Sequence, residues 1–304
     1  MLVPLDGSPF AEQAIPLAAD IARRAGAIIQ FALVHHPTPP MATALEVPEI
    51  GAQLEAEARV REEAYLAAQV DRIRAIWSVP VSAVLLDGEV VEALRHHAEA
   101  TSADLLVLTT HGRGPVSRFW LGSVADQLMH RLHLPLLLVR PGVVGDTAPK
   151  IARIMVTLDG SRFAEQALGT AQALAGAYAA EIVLLLVFEP PVPIADPTGL
   201  IVFPPTQEEV QRMRDSAERY LASVVARLTA EGSVVTSAAV DGPTVAATIH
   251  EQVRAQRIDL LVVASHGAGG FERLLVGSVA DKVVRGSEIP TLVVRPDEAG
   301  LRSS

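Results

Sequence analysis

Short, largely apolar segments alternate along this chain with longer segments in which apolar residues recur at helical spacing. In the second half, strands are predicted at residues 151–158, 181–187, 234–240, 260–264 and 291–295. Helices are predicted between them, at residues 163–178, 207–230, 244–255 and 279–285. The first half repeats this order, with strands predicted at residues 2–5, 28–34, 81–86, 105–109 and 136–140 and a long helix over 53–76. Alternating strands and helices imply right-handed crossovers, so each half is predicted to be an open, mainly parallel sheet of five strands with helices on both faces.

The two halves also resemble each other residue by residue. LDGSPFAEQA at residues 5–14 returns as LDGSRFAEQA at 158–167, and GSVAD at 122–126 returns at 277–281. The offset is 153 residues at the first motif and 155 at the second, so the copies remain in register across a whole domain. We therefore predict two homologous α/β domains, residues 1–142 and 151–297, joined by a Gly- and Pro-containing linker at 143–150.

Composition narrows the class of protein. Half of the 304 residues are hydrophobic and only 4% are aromatic, which suits aliphatic parallel strands covered by Ala-rich helices. The chain has no cysteine, which excludes disulfides, thiolate zinc sites and cysteine nucleophiles. A net charge of -10 argues against a nucleic-acid partner, since such proteins usually present a basic face. No apolar run approaches the roughly 20 residues of a membrane span, and Asp6 interrupts the amino terminus early, so we expect a cytoplasmic protein without a signal peptide.

A glycine loop follows the fourth predicted strand of each half. THGRG at residues 110–114 and SHGAGG at 265–270 each precede a Gly-Ser pair that opens a helix, with nine residues between Gly112 and Gly122 and between Gly267 and Gly277. Such a loop lets backbone approach an anion, and the helix start offers unpaired N–H groups with a partial positive charge. We expect phosphate binding here, with His111 and His266 as donors. Ser123 and Ser278 stand at the predicted N-cap, where the hydroxyl is expected to cap the helix more readily than to contact phosphate.

An Asp-Gly-Ser turn ends the first strand of each half. Asp6 and Asp159 therefore fall at the edge where open α/β sheets place ligands, and they would accept hydrogen bonds from a ribose or help to hold a metal. The alternative is that this segment only turns the chain. We expect Ser8 and Ser161 to cap the next helix and the two aspartates to face ligand.

These segments together resemble the universal stress protein family. The matching pieces are VPLDGS at the start, LLVLTTHGRG in the fourth strand and its loop, and LGSVAD at the helix start, and the resemblance covers nearly the whole chain as two tandem domains. It implies a Rossmann-like or flavodoxin-like fold of the adenine nucleotide alpha hydrolase-like type.

The resemblance also implies a ligand and its contacts. Nucleotide-binding members have the pattern G-x2-G-x9-G-[ST], whose last three elements match here, whereas Thr109 and Ala264 replace the first glycine. ATP, accompanied by Mg2+, is the implied ligand, with adenine near the backbone of Val34 and Val187. The residues implied at the phosphates are Arg113, Gly122, Ser123 and Val124 in the first domain, and Gly277, Ser278 and Val279 in the second. Because Arg113 aligns with Ala268, we predict unequal nucleotide affinity in the two domains.

Other polar groups have simpler interpretations. The pairs His35-His36, His96-His97 and His130/His133 lack acidic or cysteine partners at metal-ligand spacing. The mixed charges of the long helix, Glu55 to Glu63, are interpreted as a solvated face.

The predicted function is adenine-nucleotide binding in a regulatory, stress-linked role, with at most slow ATP hydrolysis. Two alternatives stay open: an interaction module with empty pockets, and an enzyme that hydrolyses ATP or adenylates a substrate. We also predict that the two domains pair within the chain through their closing strands, 136–140 and 291–295, since an apolar sheet edge needs a partner, and that a homodimer is a further assembly.

Overall fold

The structure, a computed structural model, describes residues 1–36, 48–110, 121–142, 149–190, 206–265 and 277–295, and the side chains of residues 48–50 are outside the description. The chain divides into two compact units, Met1–Pro149 and Lys150–Ser304. These units are described separately below as the first and second domains.

The first domain alternates strands with helices. Its strands are β1 (Leu2–Leu5), β2 (Ile29–His35), β3 (Val81–Asp87), β4 (Leu106–Thr109) and β5 (Leu136–Val139). Its described helices are α1 (Pro9–Glu12), α2 (Ile15–Ala25), α3 (Pro48–Trp77), α4 (Val90–Ala100) and α5 (Ser123–Arg131).

The second domain repeats this order. Its strands are β6 (Arg153–Leu158), β7 (Glu181–Phe188), β8 (Val235–Asp241), β9 (Leu260–Ala264) and β10 (Thr291–Val294). Its described helices are α6 (Arg162–Glu165), α7 (Ala167–Tyr178), α8 (Gln207–Ala230), α9 (Val245–Ala255) and α10 (Ser278–Gly286).

Both sheets are parallel and share one topology. The first has the order β3-β2-β1-β4-β5, and the second has the equivalent order β8-β7-β6-β9-β10. The α/β fold with a parallel five-stranded sheet in each domain is therefore confirmed. In this order the chain builds outward on one side of β1 and then returns to add β4 and β5 on the other side, which fixes where a ligand crevice would open.

The cores are aliphatic, as the composition predicts. Strands β4 and β5 are buried along their whole length, and α2 covers the sheet with small side chains such as Ala18 and Ala22. The second domain uses Ala171 of α7 in the same way. Burying apolar area contributes about 25 cal/mol per Å², so these continuous apolar strands supply much of the stability of each domain.

Most predicted elements lie within two residues of the observed bounds, but the helix predicted over 163–178 is wrong. The chain forms two helices there, because the N–H of Gln166 donates to the carbonyl of Phe163 (3.2 Å) and closes α6 with a tighter turn. The predicted helix over 53–76 is longer than expected and starts at Pro48. None of the helices in the described ranges is both long and apolar enough to cross a membrane.

Candidate functional site at the carboxyl edge of each sheet

The direction of strand addition reverses between β1 and β4 in the first domain and between β6 and β9 in the second. Open α/β sheets bind ligands at this reversal, outside the carboxyl ends of the strands. Asp6 directly follows β1 and Thr110 follows β4, while Asp159 and Ser265 take the same places in the second domain. The topology therefore brings the Asp-Gly-Ser turn and the start of the glycine loop to the same edge in both copies.

The aspartate of each turn holds its own backbone. One carboxylate oxygen of Asp6 accepts a hydrogen bond from the N–H of Ser8 at 2.9 Å, and Asp159 accepts one from the N–H of Ser161 at the same distance. The glycine between them has φ of +82° at Gly160, a left-handed conformation that suits a residue without Cβ. The turn is thus built identically twice, and contact between the aspartates and a ligand stays a prediction.

The serines of these turns are helix caps, as predicted. The Ser8 hydroxyl accepts a hydrogen bond from the N–H of Ala11 (3.2 Å), and the Ser161 hydroxyl accepts one from Ala164 (3.1 Å). Each cap starts a one-turn helix directly at the carboxyl edge. Their hydroxyls therefore stabilise the turn.

Each glycine loop is closed at its base by backbone hydrogen bonds. The N–H of Gly122 donates to the carbonyl of Thr110 (2.6 Å), and that of Gly277 donates to Ser265 (2.7 Å). Thr110 is itself held against β5, because its N–H donates to Val139 at 2.9 Å. The helix start is thereby fixed beside the end of the fourth strand. His111, Gly112, Arg113, His266 and Gly267 lie outside the described residues.

The predicted caps at Ser123 and Ser278 are wrong. The N-cap residues are Gly122 and Gly277, with extended backbone angles (φ -60°, ψ 149° at Gly122) and without a side-chain cap. The serines are one position later, the first residues of α5 and α10, and both are exposed. The hydrogen bonds from Gly122 to Thr110 and from Gly277 to Ser265, the residues directly after the fourth strands, explain the shift, since they place the glycine backbone at the helix boundary. The first N–H groups of α5 and α10 consequently start without a capping side chain, and such groups attract anions.

The other predicted contacts lie in or beside this edge. Val34 and Val187 pair with the neighbouring strand near the ends of β2 and β7, and Val34 is buried. Val124 and Val279 lie in the first turns of α5 and α10, and Val279 is exposed. Thr109 and Ala264, which replace the family's first glycine, are the last residues of β4 and β9.

Thr109 is packed within the sheet. It pairs in register with Val139 and only 7% of it is exposed. Its side chain is therefore accommodated by the protein interior and does not project from the loop.

Comparison with known proteins identifies the family. A sequence model described as the universal stress protein family matches residues 1–140 and again residues 150–295. The chain belongs to the universal stress protein family. The resemblance noted in the sequence is thereby confirmed, including its tandem arrangement.

Relatives of this universal stress protein include two from Mycobacterium tuberculosis. One is 27% identical over 97% of this chain and 94% of its own length, and another is 29% identical over 97% and 96%. A universal stress protein of Mycobacterium bovis is 28% identical, and there the alignment covers 64% of this chain and only 63% of the relative, just under two thirds.

Solved structures agree on the fold. A universal stress protein from Archaeoglobus fulgidus superimposes with a TM-score of 0.66 at 18% identity, covering 98% of this chain and 97% of that one. A putative universal stress protein from Pseudomonas aeruginosa gives a TM-score of 0.65 at 15% identity over 99% and 95%. At these identities the likeness concerns the fold alone.

One cluster at the edge of the first domain was missed by sequence reasoning. His35, the last residue of β2, is only 1% exposed, and its Nδ1 lies 2.6 Å from a carboxylate oxygen of Glu62 while its Nε2 contacts Glu55. Burial lowers the pKa of His35, but the hydrogen bonds to Glu62 and Glu55 outweigh this effect and raise it above its usual value. The interpretation of the charges on α3 as a solvated face is therefore wrong for these glutamates.

The cluster is unsuited to a metal ion, because both imidazole nitrogens already face carboxylates. Among the described residues, no group of three or more histidine and acidic side chains is arranged to hold a metal. His97 and His130 instead contact Gln30 and the carbonyl of Asp126, both at 2.7 Å. The His97 contact links α4 to β2, whereas the His130 contact lies within α5.

A second missed feature ties the first helix of each domain to its long helix. Glu12 accepts hydrogen bonds from Tyr65 (3.0 Å) and Gln69 (3.1 Å) and pairs with Arg72 (3.1 Å). Burial, followed by the negative charge of Glu12, raises the pKa of the Tyr65 phenol well above its usual value. The second domain repeats the tie, with Glu165 accepting from Tyr220 (3.1 Å) and Arg227 (2.5 Å). Helices α1 and α6, and with them the Asp-Gly-Ser turns, are thus anchored to α3 and α8.

Proposed function

We propose that each domain binds an adenine nucleotide at the carboxyl edge of its sheet, with ATP as the first choice and Mg2+ accompanying its phosphates. We infer a regulatory role linked to stress, because a universal stress protein that binds a nucleotide could respond to the state of the cell. We place this activity in the cytoplasm.

One observation carries the proposal. The N-cap residues of helices α5 and α10 are Gly122 and Gly277, which have no side chain to cap the helix, and both helices start beside the strand reversal. A helix start in this position directs N–H groups and the positive end of the helix dipole towards a ligand. The exposed Ser123 and Ser278 add a hydroxyl at the same point. The arrangement occurs twice in one chain, which favours a shared ligand chemistry over a coincidence of packing.

The neighbouring groups suit the rest of a nucleotide. The Asp6 and Asp159 carboxylates would accept hydrogen bonds from ribose hydroxyls, since an ionised carboxylate has about four lone-pair sites and both residues directly follow the first strand of their domain at this edge. Backbone groups near Val34 and Val187 would recognise the adenine, as the family resemblance implies. Residues Ser123, Val124, Ser278 and Val279 would supply N–H groups to the phosphates.

Hydrolysis would be slow at most. A general base must be aimed at a water beside the γ-phosphate, whereas the carboxylates of Asp6 and Asp159 face the backbone of their own turns and, in this proposal, the ribose. We therefore propose a binding protein in preference to an ATPase or an adenylating enzyme.

The competing function is an interaction module with empty pockets. The observation that favours it is the replacement of the family's first glycine by Thr109 and Ala264. Because Thr109 is buried within β4, this replacement is less obstructive than a side chain in the loop would be. Pairing of the two domains within the chain, and of two chains, would be compatible with either function.

The deciding experiment is native mass spectrometry of the purified full chain, followed by titration with ATP and magnesium. We expect retained or saturable adenine nucleotide with up to two per chain. Replacing Ser123 and Ser278 by Glu should abolish binding, because a carboxylate would occupy the anion position at each helix start without harming the helix. The matched variant with Gln at both positions keeps the size and lacks the charge. A mass without nucleotide throughout the titration would overturn the proposal and favour the interaction module.

A further inference from the structure

The cluster around His35 joins the end of β2 to the long helix α3. Glu55 and Glu62 are seven residues apart on α3, close to two helical turns, so they face the same side and hold the imidazole from both nitrogens. The glutamate side chains are 32% and 24% exposed, whereas that of His35 is 1% exposed. The imidazole is thus enclosed and its partners lie at the surface.

This arrangement requires a proton on each ring nitrogen. An ionised carboxylate is only an acceptor, so a bond to Glu55 and another to Glu62 need an imidazolium, in which both nitrogens donate. A neutral imidazole has one N–H and one lone pair, and that lone pair would face a carboxylate. Loss of one proton therefore removes one hydrogen bond and turns an attraction into a repulsion.

The surrounding charges form a separate pair. Arg59, between the two glutamates on α3, pairs with Asp87 at the end of β3, and Asp87 is in register with His35. His36 follows His35 and is exposed. The hydrogen bond to Asp87 raises the pKa of the Arg59 guanidinium, and the negative charges of Glu55 and Glu62 add to this effect, so Arg59 stays charged. Among these side chains only histidine ordinarily changes charge near neutral pH, and His35 is the buried one.

The second domain has the same backbone and different side chains here. The repeat offset places Phe188 at the position of His35, and the shared contacts Tyr65–Glu12 and Tyr220–Glu165 align Val210 with Glu55 and Ala217 with Glu62. The arginine-aspartate pair is kept as Arg214–Asp241, and the guanidinium of Arg214 lies 5.6 Å from the Phe188 ring centre. One domain thus contains a histidine between two glutamates where the other contains an apolar group.

We propose that His35, Glu55 and Glu62 form a proton-operated latch, specific to the first domain, that fastens the first half of α3 to β2 near neutral pH and releases it when His35 loses its proton. The sign follows from the raised pKa. Stabilisation by such a histidine is fully present below its unfolded-state pKa of about 6.5 and is lost as the pH rises through the higher folded-state pKa. Release is therefore expected on the alkaline side. The latch does not depend on nucleotide binding.

Hydrogen-deuterium exchange of the full chain without nucleotide, at about pH 6 and about pH 9 and corrected for intrinsic exchange rates, tests the latch. Peptides covering residues 53–63 should lose protection by about tenfold at the higher pH, as expected for the loss of one hydrogen bond between charged groups. Peptides covering 208–218 of α8 should keep theirs, so each sample contains its own control. Equal, pH-independent protection in both helices would overturn the proposal.

Two variants make the result specific. Grafting the apolar set into the first domain, with His35→Phe, Glu55→Val and Glu62→Ala, should remove the pH dependence and retain protection at both pH values. The reverse graft, Phe188→His, Val210→Glu and Ala217→Glu, should transfer the pH dependence to α8. If either graft fails to fold, deuterium exchange at the histidine C2 position of the unaltered chain gives the pKa of His35 directly. A pKa at or below about 6.5 would contradict the latch.

Discussion

At the scale of single residues, the Asp-Gly-Ser turn is determined by short-range contacts. Its hydrogen bonds join residues two or three apart, Asp6 to Ser8 and Ser8 to Ala11, and the second domain repeats them. The glycine between the aspartate and the serine has positive φ in both copies, 76° at Gly7 and 82° at Gly160. Since nothing distant is needed, the caps could be predicted from the sequence.

Replacing Gly160 by Ala should destabilise the second domain by about 1 to 2 kcal/mol. A Cβ at this position would meet no atom within 4 Å, so strain at φ +82° is the only cost. The matched control is Gly169→Ala in the exposed face of helix α7, where a Cβ also meets nothing within 4 Å. That change should stabilise by about 0.5 to 1 kcal/mol, because alanine favours helix.

The free energy of unfolding of the second domain is measured for both variants by urea titration, with hydrogen exchange of second-domain peptides as the probe. Opposite signs for the same chemical change would attribute the effect to backbone conformation. Equal effects at both glycines would show that the turn tolerates a side chain and that φ there is not fixed.

At the scale of elements, the carboxyl edge depends on contacts that link distant segments. Glu12 of α1 is held by Tyr65, Gln69 and Arg72 of α3, more than fifty residues later. The Asp6 turn leads directly into α1, so this tie also fixes the turn. The orientation of the Asp6 turn therefore depends on the packing of α1 against α3.

Replacing Glu12 by Ala should therefore destabilise the first domain by about 2 kcal/mol, because it leaves the hydroxyl of Tyr65 and the amide of Gln69 without their acceptor. Glu12→Gln is the control, since its carbonyl oxygen still accepts a hydrogen bond. It should destabilise the domain by less than half as much as Glu12→Ala. Exchange protection of peptides over 9–21 measures the effect locally. Identical losses in the two variants would assign the effect to charge pairing with Arg72 instead.

The elements also show how far sequence reasoning extends. The helix at Gln207–Ala230 and the strand at Leu260–Ala264 have their predicted bounds, because their periodicity is local and strong. The helix break at Gln166 and the N-cap position at Gly122 were mispredicted, since each depends on a backbone hydrogen bond that cannot be inferred from the side chains. By residue type Ser123 is as good a capping residue as Ser8, so the side chain alone does not place the helix boundary at Gly122.

The latch was missed for a different reason. Glu55 and Glu62 are 20 and 27 residues from His35, so metal-ligand spacing rules do not connect them. The signal lay in the repeat: three positions change together from charged in one copy to apolar in the other. Comparison of internal copies thus detects a tertiary cluster that motif searching overlooks.

At the scale of the whole molecule, the chain presents two sheets of the same topology with different chemistry at their carboxyl edges. The proposed adenine position of the first domain, Val34, is followed directly by the His35 cluster, whereas Val187 is followed by Phe188. A nucleotide brings several negative charges to this edge. Loss of the His35 proton leaves the first cluster more negative by one unit, whereas the equivalent described residues Phe188, Val210 and Ala217 have no ionisable group.

The last prediction is therefore that the two sites differ in affinity and in pH response. The Ser278→Glu chain reports on the first domain and the Ser123→Glu chain on the second, and isothermal titration with ATP and magnesium measures each. Between about pH 7 and about pH 9, the affinity of the first domain should fall relative to the second by roughly two- to fivefold, as expected for about 0.5 to 1 kcal/mol of partly exposed charge interaction. Taking the ratio removes the titration of the nucleotide itself, which is common to both sites. Equal affinities of the two domains at both pH values would contradict the prediction. If neither chain binds ATP, the nucleotide proposal is rejected, and the latch is then tested by hydrogen exchange alone.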